Sequence, residues 1–187
     1  MTIDATDRHT LLSLARRSIE LGLTEERLAP VPQVDSPALQ ELRATFVTLR
    51  EHEDLRGCCG SIEAHAPLAE DVWRNAWASA FGDPRFPPLS RDEYDELDVH
   101  ISVLTPLERV RVATERELLD VLTPDRDGLL LKLGAARATF LPAVWESLRD
   151  PVEFVRQLKL KAGWPADFWS PQIEVWRYYT ESFGENE

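Results

Sequence analysis

Two extended runs separated by a short polar link constrain this chain's fold more than any other segment. They are ATFVTLR at Ala44–Arg50 and LRGCCGSI at Leu55–Ile62, joined by Glu51–Asp54. β-Branched and aromatic residues alternating with polar ones suit a pleated strand, and a four-residue polar link returns the chain antiparallel. A β-hairpin is therefore expected. VHISVL at Val99–Leu104 has the same strand periodicity until Pro106 interrupts it. GLLLKL and ATFLP flank the turn-like Gly134–Arg137 as a second expected hairpin, and Ile173–Tyr179 alternates as a last strand.

Helical spacing fills the intervals. From Thr6 to Leu21 the residues Leu11, Leu12, Leu14, Ala15, Ile19 and Leu21 recur at three- and four-residue steps, with Gly22 as the expected stop. Three prolines in Ala29–Pro37 make that stretch loop. Pro67 suits a first helical turn, and Leu68, Val72, Trp73, Ala76, Trp77, Ala80 and Phe81 form an apolar stripe ending at Gly82, followed by the proline-punctuated GDPRFPPL. Thr114 and Glu117 have capping-box spacing for a helix over Glu115–Leu122. Pro142–Leu148 and Pro151–Ala162 are expected helices, the second closed by Gly163. Strands and helices mix without a regular βαβ rhythm, so the fold class is α+β.

The charge balance narrows the partners. With 21 Lys plus Arg against 33 Asp plus Glu, the chain carries a formal net charge of −12, which repels a phosphate backbone. Nucleic acid is excluded as a partner, though a local basic pocket remains able to hold a small anion. No run approaches the roughly 20 apolar residues that span a bilayer, and MTIDATDRHT lacks a basic-then-apolar signal pattern. No membrane association is expected, and a cytoplasmic location is. At 187 residues, 43% of them hydrophobic, the chain is long enough to bury its own core without disulfides.

Only two cysteines occur, Cys58 and Cys59, and adjacent Cα atoms lie about 3.8 Å apart, closer than the usual disulfide range. They are better suited to reduced thiols. In an unbulged strand Arg56 and Cys58 face one way while Leu55 and Cys59 face the other. Leu55 makes the Cys59 side the core side, leaving Cys58 beside a guanidinium that favours its thiolate. Gly57 and Gly60 flank the pair without Cβ atoms, so a second backbone or a ligand can approach closely. Two small residues packed in a tight sheet fit the same pattern.

His100 and Ser102 share a face of the third strand, opposite Ile101 and Val103, and a Cys with a nearby His is the minimal pair for thiol nucleophilic catalysis. A lone histidine is more often a surface or hydrogen-bonded structural residue. Asp83 and Arg85 follow the Trp-rich helix, where an Asp turns the chain and an Arg grips a carboxylate, so Arg56 and Arg85 are two candidate anion clamps; a plain Asp83 turn and an Arg85 salt bridge fit as well. His9, His52, His65 and His100 are scattered, and neither they nor the cysteines have zinc spacing, so no metal is expected. Phosphate-loop, dinucleotide and nucleophile-elbow patterns are missing, so no cofactor is expected. Trp73, Trp77, Trp145, Trp164, Trp169 and Trp176 are expected in the core or at a subunit interface.

Five segments, LRGCCG, AWASAFGDPRFPPL, HISVLTPLE, GLLLKLGAARATFLPAVW and FVRQLKLKAG, together resemble the AMMECR-type domain, called AmmeMemoRadiSam system protein A in prokaryotes. The family hallmark is Leu-Arg-Gly-Cys, usually an aliphatic residue, then Gly; here Cys59 takes the aliphatic slot. Ala143 departs from the Gln often found after the Leu-Pro pair. The resemblance implies a single α+β domain over residues 1–187, with a mainly antiparallel β-sheet flanked by helices, a small subdomain and a cleft lined by Leu55–Gly60. It also implies a Memo-like protein and a radical-SAM protein as partners, but no reaction.

Together these observations lead to a thiol-dependent enzyme, or enzyme subunit, with Cys58 as nucleophile or acid/base and His100 assisting. Arg56, Gly57, Gly60, Asp83, Arg85 and Ser102 would hold a small acidic substrate. The competing expectation is a non-catalytic binding or scaffold module whose LRGCCG groove docks a partner.

Overall fold

The computed structural model describes residues 2–52 and 54–186, and Glu53, inside the expected hairpin turn, lies outside the described residues. The chain forms two compact units, Met1–Leu104 with Glu181–Glu187 and Thr105–Thr180. In chain order the elements are α1 (Ala5–Glu25), β1 (Thr45–Glu51), β2 (Asp54–Gly60), α2 (Leu68–Phe81), α3 (Arg91–Tyr94), β3 (Leu97–Leu104), β4 (Glu108–Val110), α4 (Glu115–Val121), β5 (Gly128–Leu133), β6 (Ala136–Phe140), α5 (Pro151–Lys161), β7 (Glu174–Tyr178) and β8 (Thr180–Gly184). The class is α+β, with two four-stranded sheets ordered β2-β1-β3-β8 and β4-β7-β5-β6.

In the first unit the expected hairpin forms. β1 pairs antiparallel with both β2 and β3. Alternate residues Val47, Leu49, Val99, Ile101 and Val103 are fully buried and join the core with Leu11, Ala15 and Ile19 of α1 and Val72, Trp73 and Ala76 of α2. α1 does not stop at Gly22. It continues to Glu25 and ends where Glu26 turns left-handed, at φ 55°, and its N–H bonds back to the Gly22 carbonyl. Gly22 is instead a packing glycine: a Cβ there would come within 2.3 Å of the Phe81 ring.

The second unit carries the second hairpin, β5–β6, whose turn places Gly134 at φ +60°. Trp145 stacks flat on Phe154 at 3.8 Å between ring centres, and both are buried. Pro142–Glu146 is a single 3-10 segment rather than the α-helix its spacing suggests. α3, β4 and β8 have no counterpart in the periodicity, because three to five residues are too few to establish one. Among the described residues, no helix is long and apolar enough to cross a membrane.

Candidate functional site

The register of the first sheet places the expected site residues. Cys58 pairs with Thr48, and Thr48 pairs in turn with His100, so the three form one row across β2, β1 and β3. Directly paired residues point to the same face. Since Val47 and Ile101 face the helices, this row stands on the opposite face, together with the Gly60–Phe46–Ser102 row. The Thr48 hydroxyl donates to the Cys58 sulfur at 3.4 Å. His100 lies one strand further on, about 9.5 Å from Cys58 between Cα atoms at ordinary strand spacing. Its Nε2 meets Asp98 Oδ2 at 2.7 Å, its ring lies against Gly184, and Ser102 shares a 2.9 Å hydrogen bond with Ser182.

Cys59, paired with Val47, faces the core. Burial pushes its thiol up, and the nearby Asp83 charge adds to the effect. With the two sulfurs on opposite faces, a vicinal disulfide does not fit this strand. The backbone of the pair is tied down on the α2 side, where the Cys58 N–H donates to Asp83 Oδ2 at 2.9 Å and the Cys59 N–H to Ser79 Oγ at 2.8 Å. Asp83 thereby covers an edge N–H of β2, while Ser79, which also donates to the Val47 carbonyl at 2.7 Å, bridges Cys59 to β1.

Arg56 departs from the expected arrangement. The β1–β2 register shifts between Leu49, paired with Gly57, and Arg50, paired with Leu55, so Arg56 is the extra residue of a β-bulge. The bulge breaks the alternation at that point. Leu55 is left 40% exposed, while Arg56 is buried, ion-paired with Glu93 at 2.7 Å and donating to the Pro87 carbonyl at 3.0 Å. It is a structural ion pair rather than an anion clamp beside the thiol. Gly57 and Gly60 also face their own chain and not open space: a Cβ at Gly57 would lie 2.1 Å from the Ser79 carbonyl oxygen, and one at Gly60 2.4 Å from the Phe46 ring.

Asp83 and Arg85 do meet at the strand. Arg85 grips Asp83 with Nε at 3.0 Å and Nη2 at 2.6 Å, and its Nη2 reaches the Cys58 carbonyl at 3.5 Å. This guanidinium holds the Asp83 carboxyl well below the usual carboxylate range. Arg85 stays half exposed while Asp83 is buried, so of the two arginines only Arg85 has a face toward solvent.

The AMMECR1 family model matches residues 12–183. The chain belongs to the AMMECR1 family. A protein of Methanothermobacter thermautotrophicus is 36% identical over 179 residues, covering 95% of this chain and 93% of that relative. Protein TK0174 of Thermococcus kodakarensis is 38% identical over 186 residues, covering 94% and 88%. The crystal structure of the uncharacterized protein PH0010 from Pyrococcus horikoshii superposes with a TM-score of 0.88 at 36% identity, covering 94% of this chain and 90% of that one.

Four members of this AMMECR1 site were not evident from its motifs. Thr48, which touches the thiol, sits on the polar parity of ATFVTLR, but naming it requires the hairpin register. Asp98 is two residues before His100 and so on its face. Ser79 is hidden in an apolar helix stripe. Glu93 has a local signal, the Ser90-to-Glu93 capping box, but its distant partner Arg56 does not.

Arg56, followed by Ser90, holds the Glu93 carboxyl down to about 2 from an ordinary 4.5. A carboxyl lowered on folding stabilises the native state above its unfolded pKa, and that stabilisation disappears as pH falls through the folded value. Urea unfolding at pH 7 and at pH 2 should therefore show wild type losing on the order of 2 kcal/mol more than Glu93→Gln over that interval. Equal losses in the two proteins would mean that the ion pair does not contribute.

Proposed function

We propose that the chain is a thiol-dependent enzyme, or a subunit of one, acting on a small acidic substrate laid along the Cys58–Thr48–His100 row. The observation that carries this reading is that row: a half-buried thiol receiving a hydroxyl hydrogen bond, and a histidine already held by a carboxylate, on one face of one sheet. Cys58 is the nucleophile of this reading. His100 sits too far away to take the thiol proton directly, so it exchanges protons with the far end of the substrate. Arg85 supplies the exposed guanidinium for an anionic group.

Alkylation by iodoacetamide against pH distinguishes this arrangement from a direct Cys–His dyad. A unit charge about 10 Å away across water is worth about 0.4 kcal/mol, so His100→Ala should move the Cys58 profile by no more than about 0.3 pH unit. A shift of two units or more would restore the direct dyad. For the enzyme reading itself, Cys58→Ser should abolish function in cells that depend on the chain while keeping stability within about 1 kcal/mol of wild type. A normal phenotype with that variant sinks the proposal.

Docking by strand addition to β2 has less support, since Asp83 already occupies the edge N–H of Cys58. The reading therefore assigns a Memo-like or radical-SAM partner to a surface other than this edge.

A further inference from the structure

A cavity in the first unit, of about 450 Å³, opens where α1 and α2 end; Gly22, Glu26, Trp77, Phe81, Pro88 and Leu89 are among the residues that line it. That volume lies within the range of small-ligand sites. The two helices run side by side in the same direction, as shown by the Ser18 hydroxyl donating to the Trp73 carbonyl and by Gly22 packing four residues further along against Trp77 and Phe81. Both C-termini therefore meet at this cavity, each with the partial negative charge of its last carbonyls. Neither helix has a basic residue in its last turn to offset that charge.

The charged residue of the lining, Glu26, agrees in sign. Glu26 is exposed and makes no ion pair among the described residues, while the neighbouring Arg27 is taken up by Glu25 at 2.9 Å. Trp77 and Phe81 form an angled aromatic wall, with ring centres 5.6 Å apart and planes at 47°. The absence of a side chain at Gly22 lets both rings lie against α1. Aromatic faces attract cations through their quadrupoles, and they suit a cation whose charge is spread over alkyl groups better than a strongly hydrated ion. An anion would meet Glu26 and two helix C-termini.

We infer that this cavity binds an alkylammonium group, with Trp77 and Phe81 contacting the methyl groups and Glu26 together with the helix ends supplying the counter-charge. The site is independent of Cys58 and of the proposed thiol chemistry.

Choline and its uncharged isostere 3,3-dimethyl-1-butanol separate charge recognition from simple apolar filling. In calorimetric titrations of the full chain, choline should bind at least about tenfold more tightly than the alcohol. Glu26→Gln, on an exposed residue and so without risk to folding, should weaken choline about threefold and leave the alcohol unchanged. Trp77→Leu should remove choline binding. A short peptide bearing trimethyl-lysine provides the other arm: tighter binding than choline points to a modified side chain as the source, and weaker binding to a free metabolite. Equal affinity for choline and the alcohol, an unchanged choline affinity in Glu26→Gln, or no saturable choline binding overturns the inference.

Discussion

Gly57→Ala lowers the stability of the first unit by about 3 kcal/mol or more, or prevents it from folding. The added methyl would sit 2.1 Å from the Ser79 carbonyl oxygen and 3.1 Å from its carbonyl carbon. Those atoms are backbone in the last turns of α2 and cannot rotate away, so either the helix or the strand must move by roughly an ångström. Such a move would disturb the hydrogen bonds that Ser79 and Asp83 make to the Cys59 and Cys58 N–H groups. In a chain of this size about 3 kcal/mol corresponds to a melting temperature lower by roughly 10 °C. Gly134→Ala is the control. That glycine has φ +60° with nothing within 4 Å of a Cβ, so it incurs only the left-handed strain of about 1–2 kcal/mol. Urea midpoints of the two variants should fall in that order, and a Gly57→Ala protein as stable as wild type would refute the close approach of β2 to α2.

The long periodic elements were legible in the sequence because their patterns span several turns or pleats. The hairpin, the stripe of α2 and the strand VHISVL all form where their spacing puts them. Strand parity also divides the two cysteines as expected between Cys58 and Gly60, where the ladder is regular. Two residues before Cys58 it fails. A bulge at Arg56 adds a residue that no local pattern announces, and it exchanges the expected surroundings of Leu55 and Arg56. Gly22 shows a different limit. A glycine inside a helix pattern signals a stop if only the chain itself is considered, yet here it answers to Phe81 and Trp77 from a distant helix. The row from Cys58 to His100 depends on sheet order and register, neither of which is encoded in any one segment.

Asp71→Ala should be the other severe substitution, costing about 3–4 kcal/mol, although Asp71 belongs to no motif. Its carboxylate is 4% exposed and forms no ion pair among the described residues. Hydrogen bonds take the place of a counter-ion. Oδ2 accepts the Thr45 N–H at 2.8 Å, the Thr45 hydroxyl at 2.7 Å and Asn75 Nδ2 at 2.9 Å, and Oδ1 accepts the Ser61 hydroxyl at 2.7 Å. Thr45 begins β1 and Ser61 follows β2, so one side chain in the first turn of α2 fastens both open strand ends of the hairpin to the helix. Alanine leaves the Thr45 N–H buried without an acceptor, whereas the hydroxyls and Asn75 can turn to one another. Asn at position 71 tests the mechanism more closely. Its amide oxygen can stand in for Oδ2 and its NH2 can donate to Ser61 Oγ, which accepts as readily as it donates. Asp71→Asn should therefore cost about 1 kcal/mol, and amide exchange at Thr45 should accelerate strongly in the alanine variant and only slightly in the asparagine one. If both variants cost the same, the charge rather than the hydrogen-bond pattern would be what holds the strands to α2.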